Sequence, residues 1–215
     1  MCVKDVLTIE QNERSAGFLT EKPPLPARGG LTMPTEIKIE SLPTEPLKIA
    51  ALEGCRDFAK EVDKYLVEMR QKSPLAHLPY FTPRGYCEDS YLIDCHCSRY
   101  GTGEGKGVIN DSVRGSDLYI MVDVLNSSLT YSLCGEINRM SPDNHYEDLK
   151  RIINASNGKA RRITVIMPFL YGGRQHRRTN RESLDCAVVL EQLVAMGVSN
   201  IITFDAHDPR VQNAI

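Results

Sequence analysis

From Leu47 onward, the chain alternates short continuous apolar runs with stretches in which apolar residues recur at helical spacing. The first apolar run, residues 47–52, predicts a strand, and Gly54 predicts a turn directly after it. A helical stretch comes next, and its apolar positions are Phe58, Val62, Tyr65, Leu66 and Met69. This opening segment is therefore predicted to be a strand-turn-helix unit.

The same alternation continues to the end of the chain. Residues 90–95, 117–124, 162–167 and 200–204 predict further strands, and the nearly continuous apolar run at 117–124 is typical of a strand covered on both faces. Two more helices are predicted, one from about Tyr146 to Ala155 and one over Leu184–Val194 that Gly197 ends. The fold class is therefore α/β, with a mostly parallel sheet and flanking helices.

Residues 1–46 have a different composition. Half of the chain's 12 prolines fall there, among Thr, Glu and Lys and with little periodicity. We interpret residues 1–46 as an irregular N-terminal extension and residues 47–215 as one domain.

The overall composition excludes several function classes. With 26 basic and 28 acidic side chains in 215 residues, the chain is not a globally basic nucleic-acid binder, so charge-driven function must come from a local patch. No run of 18 apolar residues occurs, which excludes a predicted membrane span. Seven scattered cysteines without a CxxC pair favour reduced thiols in a cytoplasmic protein. Strand alternation would put Cys95 and Cys97 on one face and His96 on the other, which disfavours a zinc site.

Ligands of parallel sheets bind at the carboxyl ends of strands, and two predicted strand ends carry polar side chains. After the strand at 162–167, the segment 168–181 holds Gly172, Gly173 and four arginines, and no acid. Guanidinium groups match phosphate oxygens in bidentate geometry, so this segment favours a polyphosphate site. A solvated basic loop and a subunit salt-bridge surface remain as alternatives. Nucleic-acid binding is a weaker option because interleaved aromatic residues are missing.

The second strand end is the segment 204–208, where Asp205 and His207 follow the last strand. A carboxylate suits Mg²⁺, and a histidine there can help to hold a metal or a phosphate. The alternative is a helix-capping Asp beside a surface His, which the spacing alone favours.

A cluster of four glycines spans residues 101–107. Residues 108–115 lack a convincing amphipathic helical pattern, and the spacing of a phosphate-binding P-loop is absent, so the cluster is neither dinucleotide fingerprint nor P-loop. The alternative is a flexible hairpin tip that presents Tyr100 and Glu104.

Taken together, four segments resemble ribose-phosphate pyrophosphokinase (phosphoribosyl-pyrophosphate synthetase), most closely the longer bacterial-type members with an N-terminal extension. In the order of the family, they are Arg99-Tyr100-Gly101-Thr102-Gly103-Glu104 with residues 111–120, residues 162–169, Arg174-Gln175, and Asp205-Ala206-His207. The resemblance covers roughly residues 47–215. It implies a phosphoribosyltransferase-like N-terminal domain.

The resemblance also implies a reaction, in which diphosphate passes from ATP to the C1 hydroxyl of ribose 5-phosphate and gives phosphoribosyl pyrophosphate and AMP, with Mg²⁺ as cofactor. Tyr100 would stack on adenine. Thr102, Gly103 and Glu104 would read the base, often in the site of a neighbouring subunit. Arg174 and Gln175 would contact the nucleotide, and His207 with Asp205 would hold the metal. Members of this family usually form hexamers of the same chain.

Two kinds of departure from the family pattern stand out. Thr102 replaces a usual Asp or Asn, His176 stands where an acid commonly follows Arg-Gln, and Gly172-Gly173 replace bulkier residues. The family's second domain, with its catalytic lysine, has no counterpart before Ile215, so no catalytic residue is assigned here and we expect a truncated chain with little activity of its own. A non-catalytic regulatory homologue that binds nucleotide and assembles with active subunits is the alternative.

Overall fold

A five-stranded parallel sheet forms the centre of the computed structural model, which describes residues 45–77, 83–208 and 211. Its strands are β1 Leu47–Ala51, β2 Leu92–Ile93, β5 Asp117–Met121, β8 Arg162–Ile166 and β9 Val198–Ile202. They lie in the order β2-β1-β5-β8-β9, and every neighbouring pair is parallel. The predicted α/β class is confirmed.

Helices cover both faces of the sheet. Helix α1 (Arg56–Gln71) packs on one face, while α2 (Pro142–Ala155) and α3 (Asp185–Ala195) pack on the other. Successive side chains of a strand point to opposite faces, so each strand serves both layers. In β1, Ala50 faces α2 and α3, whereas Ile49 and Ala51 face α1.

Two antiparallel hairpins project from this frame. The first joins β3 (Cys95–Arg99) to β4 (Gly105–Ile109), and the second joins β6 (Thr130–Leu133) to β7 (Glu136–Arg139). The hairpin alternative for the glycine cluster is therefore correct. The β6–β7 hairpin was not predicted, because each strand is only four residues long and β7 contains a single apolar residue, which is too short a pattern to identify a strand.

Several predicted boundaries were wrong, and among them the strand predicted at 117–124 ends at Met121. The single strand at 90–95 is interrupted at Asp94, where β2 leaves the main sheet and β3 begins a separate pairing. Helix α2 starts earlier than Tyr146, because Ser141 caps it by accepting a hydrogen bond from the Asn144 amide at 3.2 Å. The last strand begins at Val198 instead of Asn200, directly after Gly197 ends α3 with φ +91°.

The predicted N-terminal extension lies almost wholly outside the described residues. Of the predicted extension 1–46, only Glu45 and Pro46 are described. Across the described ranges, no helix combines the length and apolar character that a membrane crossing requires.

Candidate functional site

The two predicted strand-end segments lie side by side at the carboxyl edge of the sheet. Phe169 and Asp205 form a parallel bridge just beyond β8 and β9. The Asp205 amide donates to the carbonyl of Pro168 at 2.9 Å, and the Leu170 amide donates to the carbonyl of Asp205 at 3.3 Å. Because β8 and β9 are parallel neighbours, both segments open onto the same edge, where ligands of such sheets bind.

Paired glycines shape the start of the arginine loop, which we define as residues 168–181. Gly172 has φ +74°, and a Cβ there would lie 3.3 Å from the carbonyl carbon of Asp185 at the start of α3. A Cβ on Gly173 would lie 3.0 Å from the carbonyl oxygen of Leu170. The left-handed φ favours glycine, so the departure from bulkier residues has a structural reason. The tight turn is closed by the Gln175 amide, which donates to the Gly172 carbonyl at 2.9 Å.

The arginine loop presents positive charge to solvent. Its four arginines, which are Arg174, Arg177, Arg178 and Arg181, are all exposed. None of them forms an ion pair with a carboxylate of the described residues. The guanidinium of Arg174 lies over the Phe169 ring, 5.7 Å from its centroid, which holds it beside the β8 strand end. These unpaired cations can meet an anionic ligand without first breaking an ion pair.

One histidine of the arginine loop, His176, lies close to His207 of the segment 204–208. The His176 and His207 ring centroids lie 5.8 Å apart, and His176 Nε2 lies 3.4 Å from an Asp208 carboxylate oxygen. Both ring nitrogens of His176 are buried, and neither forms a hydrogen bond with a described residue. His176 was predicted only as a departure from the family pattern, although its place directly after Gln175 could have identified it as a site residue.

Asp205 and His207, the predicted metal ligands, are both exposed. The described residues contain no group of three or more His, Cys, Asp or Glu side chains placed to hold a metal ion. Mg²⁺ is usually bound by one or two carboxylates together with waters and substrate phosphates. The exposed Asp205 carboxylate beside a phosphate-compatible loop fits that mode of binding.

The turn between β3 and β4 carries the other predicted nucleotide residues. The Tyr100 amide donates to the Glu104 carbonyl at 2.8 Å, and the Gly103 amide donates to the Tyr100 carbonyl at 2.9 Å. Gly103 has φ +89°, so a glycine suits this position. The Thr102 hydroxyl donates to the Glu104 carboxylate at 2.8 Å, so Thr102 orients Glu104 within the turn. The Tyr100 side chain is 56% exposed and free to contact a flat ligand.

The structure does not bring this turn together with the arginine loop. Tyr100 borders a cavity of about 370 Å³ between β3, β6 and α2. Its lining, within the described part of the chain, includes Arg99, Tyr131 and Asp148 but no residue of the arginine loop or of segment 204–208. The predicted base-reading turn and the predicted phosphate site are therefore separate features of one chain.

Helix α2 supports both features. Asp148 accepts two hydrogen bonds from Arg99, the residue before Tyr100. Nearer the start of the helix, Tyr146 stacks on Tyr171 of the arginine loop, with ring centroids 4.6 Å apart and planes 13° apart. The Tyr171 hydroxyl donates to Asp143 at 2.6 Å. These supporting residues were not predicted, since pairings across 28 and 49 positions leave no local pattern in the sequence.

The cysteines of β3 take the predicted alternating placement. Cys95 is buried and Cys97 half-buried, while His96 between them is exposed. Burial raises the pKa of Cys95 to about 11 and that of Cys97 to about 12. These thiols therefore stay protonated and unreactive near neutral pH.

Comparisons with known proteins identify relatives of this chain. Residues 47–197 match the model of the N-terminal domain of ribose phosphate pyrophosphokinase. Ribose-phosphate pyrophosphokinase B of Dictyostelium discoideum is 30% identical over 127 residues, which are 59% of this chain and 35% of that protein. The ribose-phosphate pyrophosphokinase of Vibrio parahaemolyticus is 32% identical over 123 residues, which are 56% of this chain and 35% of that protein. The chain thus aligns with about a third of the length of these curated relatives.

The fold also matches a solved structure. The crystal structure of phosphoribosylpyrophosphate synthetase from Mycobacterium smegmatis superposes with a TM-score of 0.59 at 20% identity. The match covers 80% of this chain and 46% of that one, and at this identity it shows the fold alone. Since the family model spans well over half of the 215 residues, this chain belongs to the ribose-phosphate pyrophosphokinase family, of which it carries the N-terminal domain.

Proposed function

We propose that this chain supplies the ATP-binding part of a ribose-phosphate diphosphokinase, a transferase of nucleotide biosynthesis. The reaction moves the β,γ-diphosphoryl group of ATP to the C1 hydroxyl of ribose 5-phosphate and yields phosphoribosyl pyrophosphate and AMP. The observation that carries the proposal is the arginine loop, whose four arginines are all exposed and whose Phe169 bridges to Asp205 at the carboxyl edge of the sheet.

The charge pattern of this edge suits the chemistry. Phosphoryl transfer depends mainly on positioning and on neutralising the charge that develops on phosphate oxygens. Arg174 and Gln175 would contact the nucleotide, and the close packing of Gly172 against α3 holds their backbone in place. Preorganised cations cost no rearrangement when the transition state forms.

Asp205 and His207 would hold the Mg²⁺ ion, with ATP phosphates as further ligands. When bound, the ion would neutralise phosphate charge and orient the diphosphoryl group. The side chains themselves bind and orient the metal and the nucleotide.

The β3–β4 turn would recognise the base. Tyr100 would stack on adenine, while Thr102, Gly103 and Glu104 would contact its edge. Because this turn is separate from the arginine loop within one chain, we propose that it completes the site of a neighbouring copy in a homo-oligomer. Assembly as a hexamer, as the family resemblance implies, would bring the two features together.

ATP binding is the first test. Titration calorimetry of the full chain with ATP and Mg²⁺ should show binding, and Arg174→Ala should weaken it at least tenfold. Arg161→Ala is the matched control, because Arg161 is an exposed arginine just before the opposite end of β8 and pairs with Glu45 at 3.3 Å. Equal affinities for the two variants would contradict the proposal. The nucleic-acid alternative predicts steeply salt-dependent RNA binding that Arg174→Ala also weakens.

Turnover distinguishes the catalytic proposal from a regulatory homologue. The matching family model is that of the N-terminal domain, and the relatives are matched over about a third of their length, so we expect the 215-residue chain to bind ATP but release little AMP in the presence of ribose 5-phosphate and Mg²⁺. Robust AMP release by this chain would contradict that expectation. If the protein as its gene encodes it binds ATP but releases no AMP, the regulatory alternative is correct.

A further inference from the structure

The β6–β7 hairpin packs against the β3–β4 turn, and no function has been assigned to this hairpin above. The Cys134 amide at its tip donates to the Gly101 carbonyl at 2.9 Å. Cys134 and Gly135 have φ +52° and +89°, as in the type I′ turn of a tight two-residue hairpin. This geometry fixes the backbone of the hairpin tip directly against the turn.

Side chains add to this contact along one face of β6. Leu133 Cδ1 lies 2.9 Å from the position that a Cβ would take on Gly103, and Tyr131 Cε2 lies 3.9 Å from it. Tyr131 also packs under the guanidinium of Arg99, 5.6 Å from the ring centroid. Because Tyr131 and Leu133 are two residues apart on a strand, they point to the same side. The hairpin therefore contacts the turn from its base at Arg99 to its tip at Gly103.

Within the turn, the Thr102 hydroxyl donates to the exposed Glu104 carboxylate. The turn's internal backbone hydrogen bonds are those of the Tyr100 and Gly103 amides, and Tyr100, Gly101, Thr102 and Glu104 are all exposed. A ligand that binds an unordered loop must supply the free energy of ordering it, which weakens the affinity. If contacts from another element already order the turn before the ligand binds, the ligand does not have to supply this free energy.

We propose that the β6–β7 hairpin is a positioning element for the nucleotide-contacting turn, and that Leu133 is its central contact. Leu133 fills the space beside Gly103, and the Cys134 amide holds Gly101. Neither residue touches the nucleotide; they act by ordering residues 100–104. The link to nucleotide affinity rests on the proposed function, whereas the ordering of the turn does not.

The test compares Leu133→Ala with Ile137→Ala in the full chain. Ile137 lies on the same hairpin, is 79% exposed and serves as a matched apolar truncation. Hydrogen exchange without ligand should show the Tyr100 and Gly103 amides exchanging about tenfold faster in Leu133→Ala and unchanged in Ile137→Ala. Leu133→Met, which refills the space, should restore the slow exchange. Urea unfolding should give the same midpoint for all variants, because Leu133 is only half-buried on an exposed hairpin.

Unchanged exchange in Leu133→Ala would overturn the proposal, as would equal acceleration in both alanine variants. ATP titration adds the functional readout, with a dissociation constant about fivefold higher in Leu133→Ala only. If the turn loosens while ATP binds with unchanged affinity, the role in nucleotide binding is wrong. If the wild-type chain does not bind ATP, the proposed function fails, and the exchange rates still decide whether the hairpin orders the turn.

Discussion

Arg99 and Asp148 form a bidentate ion pair that ties the β3–β4 hairpin to α2. Arg99 Nη1 and Nη2 donate to Asp148 Oδ1 and Oδ2 at 2.6 and 2.7 Å, and the two side chains are only 9% and 6% exposed. Arg151 donates to the same carboxylate at 2.7 Å. The hydrogen bond to Asp148 is the main cause that raises the pKa of Arg99. One buried carboxylate thus holds two guanidinium groups.

Replacing this carboxylate should destabilise the domain strongly. Asp148→Asn keeps the shape but leaves the Arg99 charge buried without a counter-charge, and breaking a buried pair costs about 3 kcal/mol or more. We expect that loss in the free energy of unfolding measured by urea denaturation. Asp57→Asn is the control, because Asp57 pairs with Lys60 at 2.9 Å with its side chain 98% exposed, and exposed pairs contribute little. Similar losses in the two variants would contradict the role of burial.

Glycine at position 107 allows β4 to approach α2 closely. A Cβ there would lie 2.8 Å from Arg151 Cβ and 2.9 Å from its carbonyl carbon, so a helix or a strand would have to shift. Overpacking of this kind costs about 1–3 kcal/mol, and we expect Gly107→Ala to lower the free energy of unfolding by that amount.

Gly101→Ala is the matched control for Gly107→Ala. A Cβ at Gly101 would meet no heavy atom within 4 Å, and Gly101 does not have a left-handed φ. Thermal unfolding should therefore separate the two variants by several degrees. A Gly107→Ala protein as stable as Gly101→Ala would show that β4 does not pack closely on α2.

The sequence predicts the strands of the central sheet better than it predicts the β6–β7 hairpin. Strands such as β5 and β8 are largely apolar, so the hydrophobic pattern identifies them, and their parallel direction follows from the intervening helices. The β6–β7 hairpin has a strand, Glu136–Arg139, with one apolar residue, and nothing local distinguishes it from a loop. Its position depends on contacts with Gly101 and Gly103, about 30 residues earlier in the chain.

For the candidate site, too, the sequence predicts some contacts and not others. Asp205 and Arg174 follow apolar strands, and the rule for parallel sheets predicts their proximity. The contact of His176 with His207 depends on how the arginine loop folds back, which glycine torsions and the start of α3 decide together. Such contacts between distant positions leave no local pattern in the sequence.

The buried thiols predict a loss of stability in alkali. Burial raises the pKa of Cys55 and of Cys97 to about 12, from an ordinary value of 9.0. Above pH 9 the unfolded chain releases these protons while the folded chain keeps them, so stability is intact below pH 9 and falls as pH rises toward 12. Urea denaturation at pH 8, 9 and 10 should show this decline.

Two variants assign the alkaline decline to the buried thiols. Cys55→Ala should make the fall between pH 9 and 10 shallower, because one buried titrating group is removed. Cys134→Ser should leave the slope unchanged, since Cys134 is exposed. Identical slopes in wild type and Cys55→Ala would show that Cys55 ionises equally well in the folded chain.

Tyr171 connects the arginine loop to α2 through two separable contacts. Its ring stacks on Tyr146, and its hydroxyl donates to Asp143 at 2.6 Å. Burial and then the bond to Asp143 raise the pKa of Tyr171, so the hydroxyl remains a donor across the physiological range. The two contacts differ in kind, and two substitutions at the same position can distinguish them.

Tyr171→Phe should lower the free energy of unfolding by about 1 kcal/mol, the value of one ordinary hydrogen bond, and should leave ATP affinity nearly unchanged because the stack persists. Tyr171→Ala also removes the stack and should cost about 2 kcal/mol more, with ATP binding weakened severalfold as the loop that carries Arg174 loosens. Urea denaturation and ATP titration measure the two effects. Tyr65→Ala is the control, since Tyr65 on α1 is 68% exposed and its truncation should change neither quantity appreciably. If Tyr171→Ala binds ATP as tightly as Tyr171→Phe, the stack on Tyr146 does not position the arginine loop, and α2 supports the β3–β4 hairpin alone.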